Sequence, residues 1–378
     1  MPPSKIMVLS PFSILPPHFG ASERTYNLVQ GLADYYAVTL LYTDYAQVKV
    51  APTQADIPRV VSYKVGPSQR WAQLFNPLLI LKGLQLIRRE RPSLLVSAHL
   101  WAGINTLILH FLTGVPFILD EHNVESVRWQ RMRRTGVGLL TWAEKTCCLK
   151  ARAVFCVSEA DKKLLLQLGI SAARVFVLRN AVDLAQYHPD PDSGETARQA
   201  LGLQADLPMA LFFGKLDYQP NAEAVDIIAR EIAPRVLALN PAVRFVVCGY
   251  RPPVERYADS KITFTGMVPR IEDYINAAQV VIVPLVSGGG TKFKIIQAIA
   301  CGRPVITTPI GAEGLGDATA WMQVADNWDD FVRAMLQTLA SPRIALDAEW
   351  RAFCSAYAPS RMAAMAQQVI AGCLADPG

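Results

Sequence analysis

Several features are scarce or missing in this 378-residue chain. No uninterrupted apolar run approaches eighteen residues, so no transmembrane helix is expected. The seven cysteines are odd in number and show no CxxC spacing, which argues against a disulfide framework or a cysteine-held metal. Cys156, Cys248 and Cys301 fall in apolar patterns and read as small core residues; a reducing cytoplasm suits them best. The opening MPPSKIMVLSPF runs straight into a strand and lacks the cleavage region of a signal peptide. No metal-ligand cluster is visible, so metal independence is expected, and no cofactor is implied. Nucleic acid is not expected as a partner, because no binding motif appears and few aromatics interleave with the basic residues. The first strand is followed by PFSILPPHFGAS, which excludes the GxGxxG turn of a nicotinamide-dependent dehydrogenase. No internal repeat of useful length is present.

What is present begins with length and charge. A chain of 378 residues is long enough for two domains. The net charge of +5 is unevenly spread: residues 1–186 carry 21 Lys and Arg against 12 Asp and Glu, residues 187–378 carry 16 against 20. A basic first half points to an anionic partner. Two stretches carry that charge beside apolar residues. One is Trp71 to Arg91, helical from about Pro77, with Lys82, Arg88, Arg89 and Arg91. The other, Val127 to Arg152, mixes seven basic residues with Trp129, Leu139, Leu140 and Trp142. Each reads either as a core-packed or solvated helix or as a surface lying on an anionic membrane.

Strands and helices alternate along the chain. Apolar strands are expected at Lys5–Ser10, Val38–Tyr42, Arg59–Val65, Leu94–Ser97, Pro116–Leu119, Ala153–Val157 and Arg174–Leu178. A second series follows at Met209–Phe213, Arg244–Cys248, Ile262–Phe264, Val280–Val283 and Val305–Thr307. Short apolar runs alternating with helical patterns indicate parallel sheets. Ser22 is expected to cap the first helix, and the helix after Leu94–Ser97 is expected at Ile104–Phe111. Residues 186–206, with HPDPDSGET, have linker composition; Asp190 and Asp192 read as part of that linker rather than as metal ligands.

The densest information lies in 280–315. The strand Val280–Val283 runs into Ser287-Gly288-Gly289-Gly290-Thr291, then a helical pattern holding Lys294 and Gln297, then Gly302 and Pro304 before the next strand. Glycines let a ligand approach the backbone, and a helix N-terminus offers free N–H groups to an anion. A second strand–glycine–cation layout stands at Met209–Phe213, Gly214, Lys215. Strand ends of open α/β sheets are where ligands bind.

The segment Lys294-Ile-Ile-Gln297-Ala-Ile-Ala-Cys-Gly302-Arg-Pro304-Val305, with Thr308 and the Gly311–Gly314 turn, resembles the nucleotide-sugar site of the retaining glycosyltransferases of family four. That resemblance implies an α/β chain of the GT-B type: two Rossmann-like, doubly wound domains facing a central cleft. Residues 1–186 would form the acceptor-side domain and 187–358 the nucleotide-sugar domain, with 359–378 a helix crossing back to the first.

The resemblance also implies roles. Lys215 and Lys294 would meet the donor diphosphate, and His122 would lie beside the transferred sugar. Gly20, Ala21, Gly214, Val268, Gly288, Gly289, Gly290, Thr291 and Gln297 would bind the donor; Arg24, Glu125 and Asn180 would serve the acceptor or the hinge. The chain departs from the family pattern at Gly289 and Gln297, where glutamates are usual, at Ala21, and at Pro220-Asn221, where a second lysine is usual. The implied reaction moves a hexose from a nucleotide diphosphate sugar to a hydroxyl of a glycan or lipid-linked acceptor, on the cytoplasmic side or peripherally on the membrane's inner face. A non-catalytic nucleotide-sugar-binding protein and a sugar-nucleotide epimerase are the alternatives.

Overall fold

The computed structural model describes residues 3–15, 17, 19–43, 57–66, 75–204, 207–252, 254–257, 261–341 and 344–375. The chain divides into two compact units, Met1–Ala181 with Pro359–Gly378, and Val182–Ala358.

The first unit holds β1 (Lys5–Ser10), α1 (Gly20–Leu32), β2 (Ala37–Thr43), β3 (Val60–Val65), α2 (Pro77–Glu90), β4 (Leu94–Ala98), α3 (Leu100–Thr113), β5 (Phe117–Asp120), α4 (Glu125–Arg131), α5 (Val137–Lys150), β6 (Ala153–Cys156), α6 (Glu159–Gln167) and β7 (Val175–Val177). Its seven strands are ordered β3-β2-β1-β4-β5-β6-β7, and every pairing is parallel. Ile6 to Leu9 are wholly buried, as a central parallel strand covered on both faces requires. One face of the sheet packs on α2, α3 and α5, the other on α1 and the last helix of the chain, Pro359–Ala375. There α1 approaches that helix at backbone distance: a β-carbon at Gly31 would lie 2.5 Å from Ala363 Cβ.

The second unit runs α7 (Pro191–Ala200), β8 (Met209–Phe213), α8 (Gln219–Ile227), α9 (Ala233–Leu239), β9 (Arg244–Cys248), β10 (Ile262–Gly266), α10 (Ile271–Ala277), β11 (Val280–Val283), α11 (Phe293–Ala300), β12 (Val305–Thr307), α12 (Pro309–Ala312), β13 (Met322–Val324), α13 (Trp328–Ala340) and α14 (Ala348–Ala356). Its six parallel strands are ordered β10-β9-β8-β11-β12-β13. Strand order reverses between β1 and β4 in the first sheet and between β8 and β11 in the second. Loops at such a reversal diverge and leave a crevice at the strands' carboxyl ends.

Several local expectations are corrected. Ser22 does not cap α1; Phe19 does, while Ser22 Oγ accepts from Phe19 N at 3.0 Å from the third helical position. Helix α3 starts at Leu100 because His99 caps it, Nδ1 accepting from Trp101 N at 3.3 Å. The supposed linker 186–206 contains α7: Asp190 Oδ1 accepts from Ser193 N at 3.1 Å, and Pro191 takes the first helical position, where a missing N–H costs nothing. The basic stretch 127–152 is two helices, α4 and α5, rather than one. Trp71 lies outside the described residues.

Candidate functional site

In the second unit the two strands flanking the reversal carry the two glycine loops. Strand β8 ends at Gly214-Lys215, and its neighbour β11 leads into Ser287–Thr291 and α11. Lys294, the second residue of α11, donates from Nζ to Asn221 Oδ1 at 2.8 Å, and Asn221 Nδ2 donates to Lys215 O, also at 2.8 Å. The ammonium lies 4.2 Å from the centroid of the Phe212 ring. Gly214 has φ +151, and a β-carbon there would meet Asn221 Nδ2 at 2.9 Å and Lys294 Nζ at 3.1 Å, so only glycine lets these groups converge.

Burial pushes the Lys294 pKa down to about 7, helped by the like charge of Lys292. Lys294 thus sits close to half-charged near neutrality, and an anion beside it would restore the full charge. The Lys215 ammonium is 3.7 Å from Asp217, which also lies 3.8 Å from Arg251.

The glycine loop is held from below. Ser287 Oγ donates to Glu223 Oε2 of α8, and Lys292 Nζ donates to Gly289 O at 3.2 Å and to Gly290 O. Gly288 and Gly290 have φ of +112° and +61°. Further on, Thr308 caps α12, its Oγ1 accepting from Gly311 N at 3.1 Å and donating to Leu285 O. Gln297 is buried one turn after Lys294. Val268 follows the edge strand β10, two strands from β8.

In the first unit the carboxyl ends of β4 and β5 gather a buried polar network. Arg24, at 1% exposure, donates Nε and Nη2 to Asp120, and Nη1 to Leu178 O at 2.8 Å and Asn180 Oδ1 at 3.0 Å. Burial works to raise the Asp120 pKa, but the Arg24 charge, joined by His122, outweighs it and holds the carboxyl well below its usual range.

His122 Nε2 lies 3.1 Å from Asp120 Oδ2. An ionised carboxylate can only accept, so Nε2 carries the proton and Nδ1 is left with its lone pair. Nδ1 is buried and has no hydrogen-bond partner among the described residues. Burial lowers the pKa of His122 against the pull of Asp120, and lowers that of His99 further, which favours the neutral form of both rings.

His99 completes the cluster. Its ring centroid is 5.1 Å from that of His122, and its Nε2 is 3.4 Å from Glu125 Oε1. Its backbone has φ +72° and ψ 149°, a strained region for a residue with a β-carbon. Glu125 also accepts from Arg128 and from Asn123 Nδ2. Glu144 of α5 accepts from the Glu125 and Ser126 backbone N–H groups, fixing the start of α4; burial raises its pKa to about 7.

The structure therefore joins Gly214, Lys215 and Lys294 through Asn221, and sets Gly288, Gly289, Gly290 and Thr291 on the adjoining strand end. It joins Asn180 and Asp120 through Arg24, His122 through Asp120, and Glu125 through His99. Gly20 and Ala21 form the first turn of α1. Sequence reasoning missed His99, Lys292, Asn221 as a bridge, and Glu144. A polar residue closing the run Leu94–Ala98 was the available signal for His99.

Two parallel, doubly wound units with polar loops at each reversal define a GT-B protein. The whole fold matches that of the Anabaena protein HepE, solved in complex with UDP-glucose, with a TM-score of 0.73 over 97% of this chain and 99% of that one, at 18% identity. The model for Glycosyltransferase Family 4 matches residues 20–186, and that for Glycosyl transferases group 1 matches 208–341. The chain belongs to the group 1, family 4 glycosyltransferases.

Among curated relatives, an alpha-maltose-1-phosphate synthase of Mycolicibacterium smegmatis is 25% identical over 60% of this chain, and the match spans 62% of that protein's length. A UDP-Gal:alpha-D-GlcNAc-diphosphoundecaprenol alpha-1,3-galactosyltransferase of Escherichia coli is 22% identical over 67% of this chain and 68% of its own.

Proposed function

We propose that the protein transfers a hexose from a nucleotide diphosphate sugar to a hydroxyl of a glycan or lipid-linked acceptor, with retention of configuration and without a metal, in bacterial polysaccharide or glycolipid synthesis. The observation that carries this reading is the Gly214–Asn221–Lys294 contact beside the Ser287–Thr291 loop at the strand reversal. Lys294, Lys215 and the amides at the start of α11 supply the positive charge that a departing diphosphate needs. Gly289 and Gln297 replace charged acceptors, so sugar and ribose hydroxyls meet backbone groups and an amide that both donates and accepts.

In the first unit His122 Nδ1 is a buried acceptor ready for a hydroxyl proton, a role suited to holding the transferred sugar. Arg24 is spent on Asp120, Leu178 and Asn180, which supports a positioning role for it rather than contact with the acceptor. The leaving diphosphate itself would take the acceptor's proton. The named substrate of the Escherichia coli relative supports a lipid-linked acceptor.

We further propose that the first unit works against the cytoplasmic face of an anionic membrane. Residues 77–150 hold ten Lys and Arg but five acids, and four of those acids, Asp120, Glu121, Glu125 and Glu144, are buried. Helices α2, α3 and α5 pack side by side and expose Leu81, Phe111, Leu139 and Trp142, each at more than 60%. Bases and large apolar groups turned outward together suit an anionic bilayer surface. No helix among the described residues is long and apolar enough to cross a membrane.

The reading is tested by incubating the purified protein with UDP-, GDP- and ADP-sugars, EDTA and an undecaprenyl-diphosphate-linked sugar acceptor. Formation of an α-glycoside supports it. Binding without turnover would favour the non-catalytic alternative, and an altered sugar nucleotide without transfer would favour an epimerase.

A further inference from the structure

Lys292 stands immediately before α11 and is 8% exposed. Its side chain turns back beneath the loop, and Nζ donates to two successive carbonyls, those of Gly289 and Gly290. In a planar trans peptide the N–H points opposite to the C=O. Fixing those two carbonyls on one ammonium therefore aims the N–H groups of Gly290 and Thr291 away from Lys292, side by side. Successive amides aimed one way form a concavity that favours an anion. The positive φ of Gly290 is what allows the peptide planes to take this arrangement.

We propose that Lys292 is a positioning residue: it moulds the glycine loop so that the Gly290 and Thr291 amides meet the diphosphate or sugar oxygens of the nucleotide, without touching the nucleotide itself. The inference rests on the reading that this loop takes a nucleotide diphosphate sugar. It explains how a loop with glycine at position 289 keeps a defined shape. It also divides the labour between two neighbouring lysines. Lys294 bonds a side chain, Asn221, and its ammonium adjoins Gly214; Lys292 is committed to the loop's own carbonyls.

The test compares the wild type with Lys292→Met, Lys292→Gln and Lys292→Arg. Affinities for UDP, GDP and ADP, and for the matching nucleosides, are measured by calorimetry, with thermal midpoints alongside. Lys292→Met should weaken the bound diphosphate about tenfold, the worth of a hydrogen bond to an anion, while nucleoside affinity stays unchanged. Lys292→Gln, which keeps an N–H donor but no charge, and Lys292→Arg should both recover most of that loss.

Equal losses in the Met and Gln variants would mean that the charge itself meets the ligand, and would overturn the proposal. Unchanged diphosphate affinity in the Met variant, or an equal loss for nucleoside and diphosphate, would overturn it too. If Lys292→Met fails to fold, the Gln and Arg variants decide by the same nucleoside-to-diphosphate comparison. A wild type that binds none of the three nucleotides defeats the donor-site reading instead, so the two failures are distinguishable.

Discussion

Lys294 and Asn221 are tied by a 2.8 Å hydrogen bond, and no carboxylate shares that ammonium among the described residues. A half-buried cation with an amide as its hydrogen-bond partner is poorly compensated. The remaining attraction is available for an incoming anion, and the contact with Phe212 stabilises the charge in the meantime.

The amide's role can be tested by substitution. Asn221→Ala removes the Lys294 acceptor and the donor to Lys215 O together. The Michaelis constant for the sugar nucleotide should rise about tenfold, the worth of one hydrogen bond to a charged group, with a smaller change in kcat. Steady-state kinetics at fixed acceptor checks this.

The Lys294 pKa of about 7 makes binding pH-dependent. A diphosphate favours the ammonium and raises its pKa in the complex, so binding takes up a proton above pH 7. Affinity should be flat below pH 7 and fall as pH rises, and the fall should vanish in Lys294→Arg. Stability runs the other way. The unfolded state holds more protons than the folded one between about pH 7 and the ordinary lysine value, so this group's contribution to stability rises with pH there. Calorimetry in buffers of differing ionisation enthalpy measures the proton directly.

Arg24 and Asp120 form a fully buried pair, and removing one partner strands the other. Arg24→Met should cost about 3–5 kcal/mol, read by urea unfolding. The Asp120 pKa is depressed in the folded state, so the pair's contribution is present above the ordinary aspartate value and is lost as pH falls below it. Because Asp120 also holds His122 Nε2, the folded fraction of the variant should show a lowered kcat.

The exposed face of α2, α3 and α5 gives a separate expectation. Leu81→Ser with Trp142→Ser should reduce cosedimentation with phosphatidylglycerol vesicles at least about tenfold, from the transfer energy of two large apolar side chains. The thermal midpoint should barely move, since both residues are exposed in the unit itself. Phosphatidylcholine vesicles should bind neither form well.

The strands β1, β4, β5, β8 and β11 were legible because a parallel strand covered on both faces is an unbroken apolar run. Gly214, Lys215 and the glycine loop were legible because each follows an apolar strand directly, and Lys294 because it falls in the helical pattern after that loop; that Asn221, 73 residues away, ties Lys294 to Lys215 was not. The rest depended on contacts that sequence order hides. Arg24 and Asp120 are 96 residues apart, and His99 meets a glutamate from the next strand's loop. Lys292 stood two residues from Lys294, and only the backward turn of the loop shows that its ammonium faces the chain's own carbonyls. Helix α7 was hidden by composition: Asp, Pro and Gly in a row suggest a linker, yet Asp-Pro also starts a helix.

The most direct test of the donor site is a calorimetric titration of wild type and Lys294→Ala with UDP-glucose, GDP-mannose and ADP-glucose. The account predicts that one of them binds the wild type at a single site and the variant at least about tenfold more weakly. Equal affinity in the two proteins would contradict it.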